Sequence, residues 1–277
     1  TYDGGAALKA IVYGALWGVG GLSWGLSMRY LGIALGQSLA YGTCAAFGTI
    51  IPPLLAGENL FSTAGGIILL IGICICIAGI AIIGYAGSLK AKNMTPEQQK
   101  AAVKEFALKK GILIALLAGV MSACFNLGLQ AGKSIQDFAE SLGTPRLFSK
   151  NVVTFLVTVG GFVTNIAYCI YLNIKNKTGT DYFSVSGKVF LNNILFCALA
   201  GTCWYLQFFF LGMGESKLTG AMLAFSWCIL MSMNILFSNL WGIWLKEWKG
   251  AGWKTMVVLI IGLIVLILST IFPSLMS

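Results

Sequence analysis

The chain has 277 residues, of which 58% are hydrophobic and only 10% are charged, and its formal net charge is +9. A soluble domain usually carries about 25% charged residues, so this composition excludes a soluble globular protein and predicts a chain whose solvent is lipid. Because the 18 Lys and Arg residues are spread over many linkers, the positive charge does not predict a nucleic-acid interface.

Eight stretches are apolar over about 20 residues, the length that a helix needs to cross a bilayer. In chain order they are Leu8–Ser27, Leu31–Leu55, Thr63–Leu89, Gly111–Ala131, Ser149–Leu172, Val189–Leu211, Leu218–Trp244 and Thr255–Phe272. The predicted fold class is therefore all-α, a polytopic bundle of transmembrane helices. Glycines four residues apart, such as Gly14 and Gly18, indicate that these helices pack closely.

One linker, Lys90–Lys110, is long and carries six Lys against two Glu. Its Thr95, Pro96 and Glu97 predict the start of a short surface helix. Alternate linkers lie on opposite sides of the membrane, and the side of this linker collects 13 of the 18 Lys and Arg residues. The positive-inside rule predicts that this side is cytoplasmic, and that Arg29, in a turn between the first two spans, is a topological anchor.

The sequence lacks the residue patterns of metal sites, ATP-driven pumps and intramembrane hydrolases. The chain has no histidine, and its eight cysteines lie inside apolar stretches without the spacing of metal ligands. The Walker, HExxH and Ser/His/Asp patterns are absent too, which argues against an ATP-driven pump and an intramembrane hydrolase. We therefore expect no enzyme activity, no metal and no cofactor.

The polar side chains inside the spans are neutral, and aromatic residues accompany them. Amides exchange hydrogen bonds with hydroxyl groups, and aromatic rings pack on the apolar face of a sugar. The predicted substrate-binding residues are Gln37, Tyr41, Asn126, Gln130, Asn192, Trp204, Gln207 and Trp227. Alternatively, these amides only hydrogen-bond across helices, where each is worth about 0.6 kcal/mol.

Particular stretches also resemble a known family. The segment "YGALWGVGGLSWGLSMRYLGIALGQSLAYG" is similar to the signature of the L-rhamnose–proton symporter family, a branch of the drug/metabolite transporter superfamily. Further matches extend the resemblance over essentially the whole chain: "FALKKG" (Phe106–Gly111), "WYLQFFF" (Trp204–Phe210), "SW" (Ser226–Trp227) and "LKEW" (Leu245–Trp248).

The resemblance implies ten transmembrane helices in two five-helix inverted repeats, with the substrate site near mid-membrane at their interface. On this basis the chain begins near the third helix. Residues 1–89 would be the remainder of the first repeat with three spans, residues 90–110 a basic cytoplasmic linker, and residues 111–277 the second repeat with five spans.

The resemblance further implies import of a deoxy-hexose of the L-rhamnose type by proton symport in a bacterial inner membrane, so that the partners are a small sugar, protons and the lipid bilayer. Family members carry an acidic residue shortly before "SW", and here the stretch "LTGAMLAFSW" has none. Where they carry a histidine, this chain has "GMGESK". Proton coupling needs a group that changes charge, which makes Glu215 the proton-coupling candidate.

Two other functions stay open at this point. One is a drug/metabolite-type carrier or exporter of another small polar metabolite, and the other is a non-transporting membrane scaffold or sensor. A scaffold would tolerate Gln207→Ala and Asn126→Ala, whereas a carrier would lose transport while its protein level stayed unchanged.

Overall fold

The computed structural model describes residues 4–57, 59–93, 95, 97 and 105–276, and every regular element in this part of the chain is a helix. In chain order the helices are α1 (Gly4–Leu31), α2 (Ile33–Leu55), α3 (Ala64–Asn93), α4 (Leu108–Ala131), α5 (Lys133–Ser141), α6 (Arg146–Asn176), α7 (Asp181–Ser184), α8 (Gly187–Glu215), α9 (Gly220–Trp244) and α10 (Trp253–Met276). Within the described ranges, eight helices are long and apolar enough to cross a membrane. The predicted all-α transmembrane bundle is thus confirmed.

The observed spans differ from the predicted ones by no more than four residues at either end. Six of them extend past the apolar stretch at one or both ends by up to about one turn, since polar residues at a membrane surface can continue a helix whose backbone is already paired. The predicted surface helix in the linker Lys90–Lys110 lies largely outside the described residues. The short helix α5 was not predicted, because it is amphipathic and lacks a long apolar stretch, with Ile135 buried between polar neighbours.

The connection between α1 and α2 is tighter than the predicted turn around Arg29, for which the sequence indicated Met28, Arg29 and Tyr30. Those residues are helical, and the chain reverses at Gly32, whose φ of 84° lies in the left-handed region that favours glycine. The reversal brings the ring of Trp24 to 4.4 Å from that of Tyr41, between ring centroids.

Arg29 forms an ion pair at this reversal with Glu105 from the end of the basic linker. Lys110 Nζ lies 4.6 Å from the centre of the Tyr30 ring, and the backbone N–H of Ala107 donates to the Tyr30 carbonyl at 3.1 Å. The hydrogen bond from Arg29 holds the pKa of the Glu105 carboxyl below its usual range. The contribution of this pair to stability is therefore retained above the usual Glu pKa and lost as the pH falls through the lowered value.

Successive spans run in opposite directions, and their connections alternate between two ends of the bundle. We call the end that holds Gly32, Asn93 and the loop after α9 the basic end. The other end, which holds α5 and the connection between α8 and α9, is called the opposite end.

Glycines set the closest helix contacts, as their spacing predicts. Helix α1 packs against α4 and α6, α2 against α4 and α9, and α3 against α10. A Cβ atom on Gly14 would lie 2.0 Å from the Val157 carbonyl oxygen, and one on Gly160 would lie 2.0 Å from that of Ile11. At the crossing of α1 and α6 the two backbones therefore touch, which no larger residue permits.

We expect Gly160→Ala to destabilise the protein by about 1–3 kcal/mol, because the added methyl group must push α1 away from α6. Thermal unfolding in detergent measures this as a lower melting temperature. Gly201→Ala in α8 is the matched control, because a Cβ atom there meets nothing within 4 Å. Equal melting temperatures for the two variants would contradict the backbone contact.

Candidate functional site

A cavity of about 460 Å³ lies in the middle of the bundle, among six helices. We call it the central cavity. Its lining includes aromatic residues, polar residues and the glycines of α1: Trp17, Gly21, Trp24, Gly25, Gln37, Tyr41, Ser122, Phe125, Asn165, Trp204, Gln207, Phe208 and Trp227. Its volume falls within the range of about 300–1,000 Å³ that small-molecule sites occupy.

Aromatic rings form the walls of the central cavity. The rings of Trp17 and Trp204 stack with centroids 5.4 Å apart, and those of Phe125 and Phe208 stack at 4.3 Å. Trp17 also meets Phe125 edge to face at 5.0 Å. These contacts hold the rings in fixed orientations and leave their free faces as flat apolar surfaces.

Two polar atoms in the lining have no partner among the described residues, although both are buried: Gln37 Oε1 and Ser122 Oγ. The amide nitrogen of Gln37 donates to Met28 Sδ at 3.4 Å, a weak bond that leaves the oxygen free. Buried polar atoms are nearly always hydrogen-bonded in folded proteins. Unpaired atoms beside a cavity are therefore suited to the hydroxyl groups of a ligand.

The amide of Gln207 is already engaged at both ends. Its nitrogen donates to the Trp204 carbonyl at 3.0 Å, and its oxygen accepts from Asn234 Nδ2 at 3.2 Å. Gln207 therefore orients the cavity wall and offers fewer free groups to a ligand than Gln37 does.

A second cavity, of about 760 Å³, lies at the opposite end between α2, α4, α5, α6, α8 and α9. We call it the vestibule. In contrast to the central cavity, it is lined by charged side chains of both signs: Lys133, Asp137, Glu140, Arg146, Lys150 and Glu215.

Lys150 and Glu215 form an ion pair in the vestibule wall, with side chains only 11% and 14% exposed. Ser226 Oγ donates to the other carboxylate oxygen, Glu215 Oε1, at 2.7 Å. Three helices thus meet at one carboxylate, α6 through Lys150, α8 through Glu215 and α9 through Ser226. A change in the charge of Glu215 would alter the contacts between all three.

Trp227 lies between the two cavities and lines both. Its ring stacks near those of Phe125 and Phe208, with centroids 6.0 and 6.4 Å apart, and its Nε1 donates to the Cys44 carbonyl at 3.3 Å. We call these three rings the aromatic septum. Because Trp227 follows Ser226 in the chain, the septum is joined directly to the Glu215 site.

The structure divides the predicted substrate-binding residues among three places. Gln37, Tyr41, Trp204 and Gln207 line the central cavity, Asn126, Gln130 and the coupling candidate Glu215 line the vestibule, and Trp227 lines both. Asn192 lies on an exposed part of α8 and lines neither cavity. The Asn126 amide nitrogen donates to the Gly48 carbonyl at 2.8 Å, which joins α4 to α2 in the way expected of a packing amide.

Sequence reasoning missed Ser122 and the tryptophans of α1 as cavity residues, and Lys150 as the partner of Glu215. Trp17 and Trp24 are seven residues apart, a spacing that places them on one helix face. Lys150, at the start of one predicted span, and Glu215, just after the end of another, have opposite charges and lie on one predicted side of the membrane, which was a usable signal. Over the described residues, no group of three or more His, Cys, Asp or Glu is placed to hold a metal ion.

Comparisons with known proteins identify the family of the chain. The family model of the L-rhamnose-proton symport protein (RhaT) matches residues 2–276. L-rhamnose-proton symporters of Yersinia pestis (strain Pestoides F) and Yersinia pseudotuberculosis (serotype O:3, strain YPIII) are each 37% identical to this chain over 266 residues, which cover 95% of it and 76% of the relative. The symporter of Yersinia pestis bv. Antiqua (strain Antiqua) is 36% identical over the same lengths. No solved structure matches significantly. The chain therefore belongs to the L-rhamnose-proton symport protein family, a family of transporters and not of enzymes.

Proposed function

We propose that this protein imports L-rhamnose together with protons across a bacterial inner membrane, by alternating access. Membership of the family and the names of the relatives support the sugar and the proton. Eight apolar helices, six of which line one cavity, support a multi-pass carrier. The other functions that the sequence left open have no comparable support: a carrier or exporter of another small polar metabolite, and a non-transporting membrane scaffold or sensor.

The observation that carries the proposal is the lining of the central cavity. Gln37 Oε1 and Ser122 Oγ are buried acceptors without donors among the described residues, and stacked aromatic rings surround them. Sugar hydroxyls can donate to such acceptors, and the C–H faces and the methyl group of a deoxy-hexose can pack on the rings. The free energy of binding then comes from apolar contact, and the unpaired atoms supply selectivity for hydroxyl groups.

Glu215 is proposed as the proton-coupling group. It is an ionisable side chain that contacts α9, the helix that carries Trp227 of the septum, since Ser226 donates to it and Trp227 is the next residue. When Glu215 takes up a proton, Lys150 loses its counter-ion, and a buried ammonium without a partner is costly. Protonation is thereby coupled to a rearrangement of α6, α8 and α9 next to the sugar site.

The orientation that we propose places the basic end in the cytoplasm, because loops rich in Lys and Arg stay on that side. Arg29 is then an anchor at the cytoplasmic headgroups, held by Glu105. The vestibule faces the outside in this orientation and is the entrance for the sugar. Residues 1–89 and 111–277 are proposed as parts of two repeats joined by the cytoplasmic linker 90–110.

The proposal is tested by uptake of radiolabelled L-rhamnose in bacteria that lack their own rhamnose transporter and express this protein. We expect accumulation that a protonophore abolishes and that excess unlabelled L-rhamnose inhibits. Uptake that persists with the protonophore would exclude proton coupling. If cells with normal amounts of the protein in the membrane take up no L-rhamnose, L-rhamnose is excluded as the substrate.

A further inference from the structure

The two ends of the bundle are built differently, and the difference lies in the loop between α9 and α10. At the opposite end the vestibule separates the helices. At the basic end the segment Leu245–Gly252 lies across the ends of α2 and α3. Its backbone turns sharply, with φ of 62° at Lys246, 83° at Gly250 and 86° at Gly252.

Glu247 in this segment caps a helix more than two hundred residues away in sequence. The backbone N–H of Ile33 donates to its Oε1 at 3.2 Å, and that of Ala34 donates to its Oε2 at 3.0 Å. Helix α2 begins after Gly32, which has no side chain to cap it, so its first N–H groups need an external acceptor. A carboxylate is well suited, because the amino end of a helix is electropositive.

The residues next to Glu247 fasten the segment to α3. Trp248 is 4% exposed, and Lys90 Nζ lies 5.0 Å from the centre of its ring. Asn93 at the end of α3 donates from Nδ2 to the Ala251 carbonyl at 2.8 Å and to Thr255 Oγ1 at 3.2 Å. The segment is thus attached to α3 and α10 by several contacts, whereas its hydrogen bonds to α2 among the described residues all come from one carboxylate.

The capped first turn of α2 is followed directly by the turn that lines the central cavity. Gln37, which lines that cavity, is one turn from Ala34. Next to this turn, α2 and α9 meet through small and polar groups, at Ser38 beside Gln37 and at Ala34 nearer the basic end. Asn239 Nδ2 donates to Ser38 Oγ at 2.7 Å, and a Cβ atom on Gly242 would lie 2.7 Å from that of Ala34. These contacts hold the end of α2 that carries Ala34 against α9, on the basic side of Gln37.

We propose that the segment Leu245–Gly252 is a latch that keeps the basic end closed. Glu247 is the residue through which the latch binds α2. This contact must break for the sugar to leave at the basic end. The inference rests on the proposed function, because it assigns a step of that transport cycle. Glu247 acts here as a positioning residue: it touches no sugar and holds α2 in the closed arrangement.

The test measures access to Ser38, which is completely buried. In a variant with its eight cysteines replaced and Ser38→Cys introduced, a membrane-impermeant maleimide is applied from either side of oriented vesicles, without sugar. We expect Glu247→Ala to speed labelling from the basic end about tenfold, the change in equilibrium that a lost helix cap of ordinary strength produces. Labelling from the opposite end should not change.

Glu105→Ala is the matched control, because Glu105 forms an exposed ion pair with Arg29 at the same end and does not cap α2. It should leave the labelling rate within about twofold of the parent. Glu247→Gln keeps the size and one acceptor oxygen and should give an intermediate rate. If Glu247→Ala is not recovered as folded protein, Glu247→Gln decides.

Unchanged labelling in the Glu247 variants would overturn the latch. Faster labelling from both ends would overturn it as well, since loss of a merely structural cap loosens α2 without a preferred side. Because the labelling needs no sugar, its outcome is independent of the rhamnose assignment. Normal L-rhamnose uptake with unchanged labelling rejects the latch alone, and faster labelling from the basic end without uptake rejects the substrate alone.

Discussion

Replacing Glu215 with Gln is expected to abolish the accumulation of L-rhamnose against its gradient, while labelled sugar still equilibrates across the membrane. Gln keeps the shape of the side chain and can still accept the hydrogen bond from Ser226. It cannot change its charge, so the cycle no longer carries a proton through this site. Accumulation ratios with and without a protonophore, together with counterflow of labelled L-rhamnose in vesicles, separate the two behaviours.

The single variant also leaves Lys150 without its counter-ion, and loss of one partner of a buried pair costs about 3–5 kcal/mol. The double variant Lys150→Met with Glu215→Gln removes this complication, because it leaves neither charge of the pair in the vestibule wall. We expect it to equilibrate L-rhamnose without accumulation and to melt at a higher temperature than Glu215→Gln alone.

Glu140→Gln is the matched control in the vestibule. Glu140 accepts hydrogen bonds from Ser149 Oγ at 2.6 Å and from Gln136 Nε2 at 3.3 Å, but has no bond to α8 or α9 among the described residues. Accumulation should persist in this variant. If Glu140→Gln lost accumulation and Glu215→Gln kept it, the coupling group would be Glu140.

The positions of the spans could be predicted from the sequence, but not which spans pack against one another. A helix in lipid can be apolar on every side, so hydropathy reveals its length and not the face that meets protein. Helices α6 and α8 illustrate this. The most apolar 18-residue stretch of each has the same mean hydropathy of 1.8, yet 28% of that stretch is buried in α6 and only 6% in α8. Asn192 was assigned to the substrate site because it lies inside a span, and its exposed position on α8 was invisible in the sequence.

The residue types of the site were predictable, whereas its division into two cavities was not. Amides and aromatic rings at mid-membrane depth indicated a site for a neutral polar ligand. Whether an amide is free or engaged depends on the neighbouring helix, which sequence does not specify. Asn126 and Gln37 look alike in the sequence, but Asn126 donates across to α2 while the oxygen of Gln37 has no donor among the described residues.

That unpaired oxygen leads to the second large expected effect. Replacing Gln37 with Met, which keeps the length and removes the acceptor, should raise the KM for L-rhamnose about tenfold, because a lost hydrogen bond to a buried group is worth about 1.4 kcal/mol. Gln130→Met is the matched control, since Gln130 is an exposed amide in the vestibule. Its KM should stay within about twofold of the parent, the size of effect usual for a solvated polar group. Initial rates of uptake over a range of sugar concentrations measure both.

The two roles open to Gln37 predict opposite effects on stability. If its amide serves helix packing, Gln37→Met should lower the melting temperature of the sugar-free protein. If its oxygen instead accepts a hydrogen bond from a sugar hydroxyl, the sugar-free protein is destabilised by a buried unpaired acceptor, and Gln37→Met removes this destabilisation. We therefore expect a melting temperature equal to or above the parent's, together with the weaker binding. A lower melting temperature with an unchanged KM would place Gln37 among the packing amides and the sugar elsewhere.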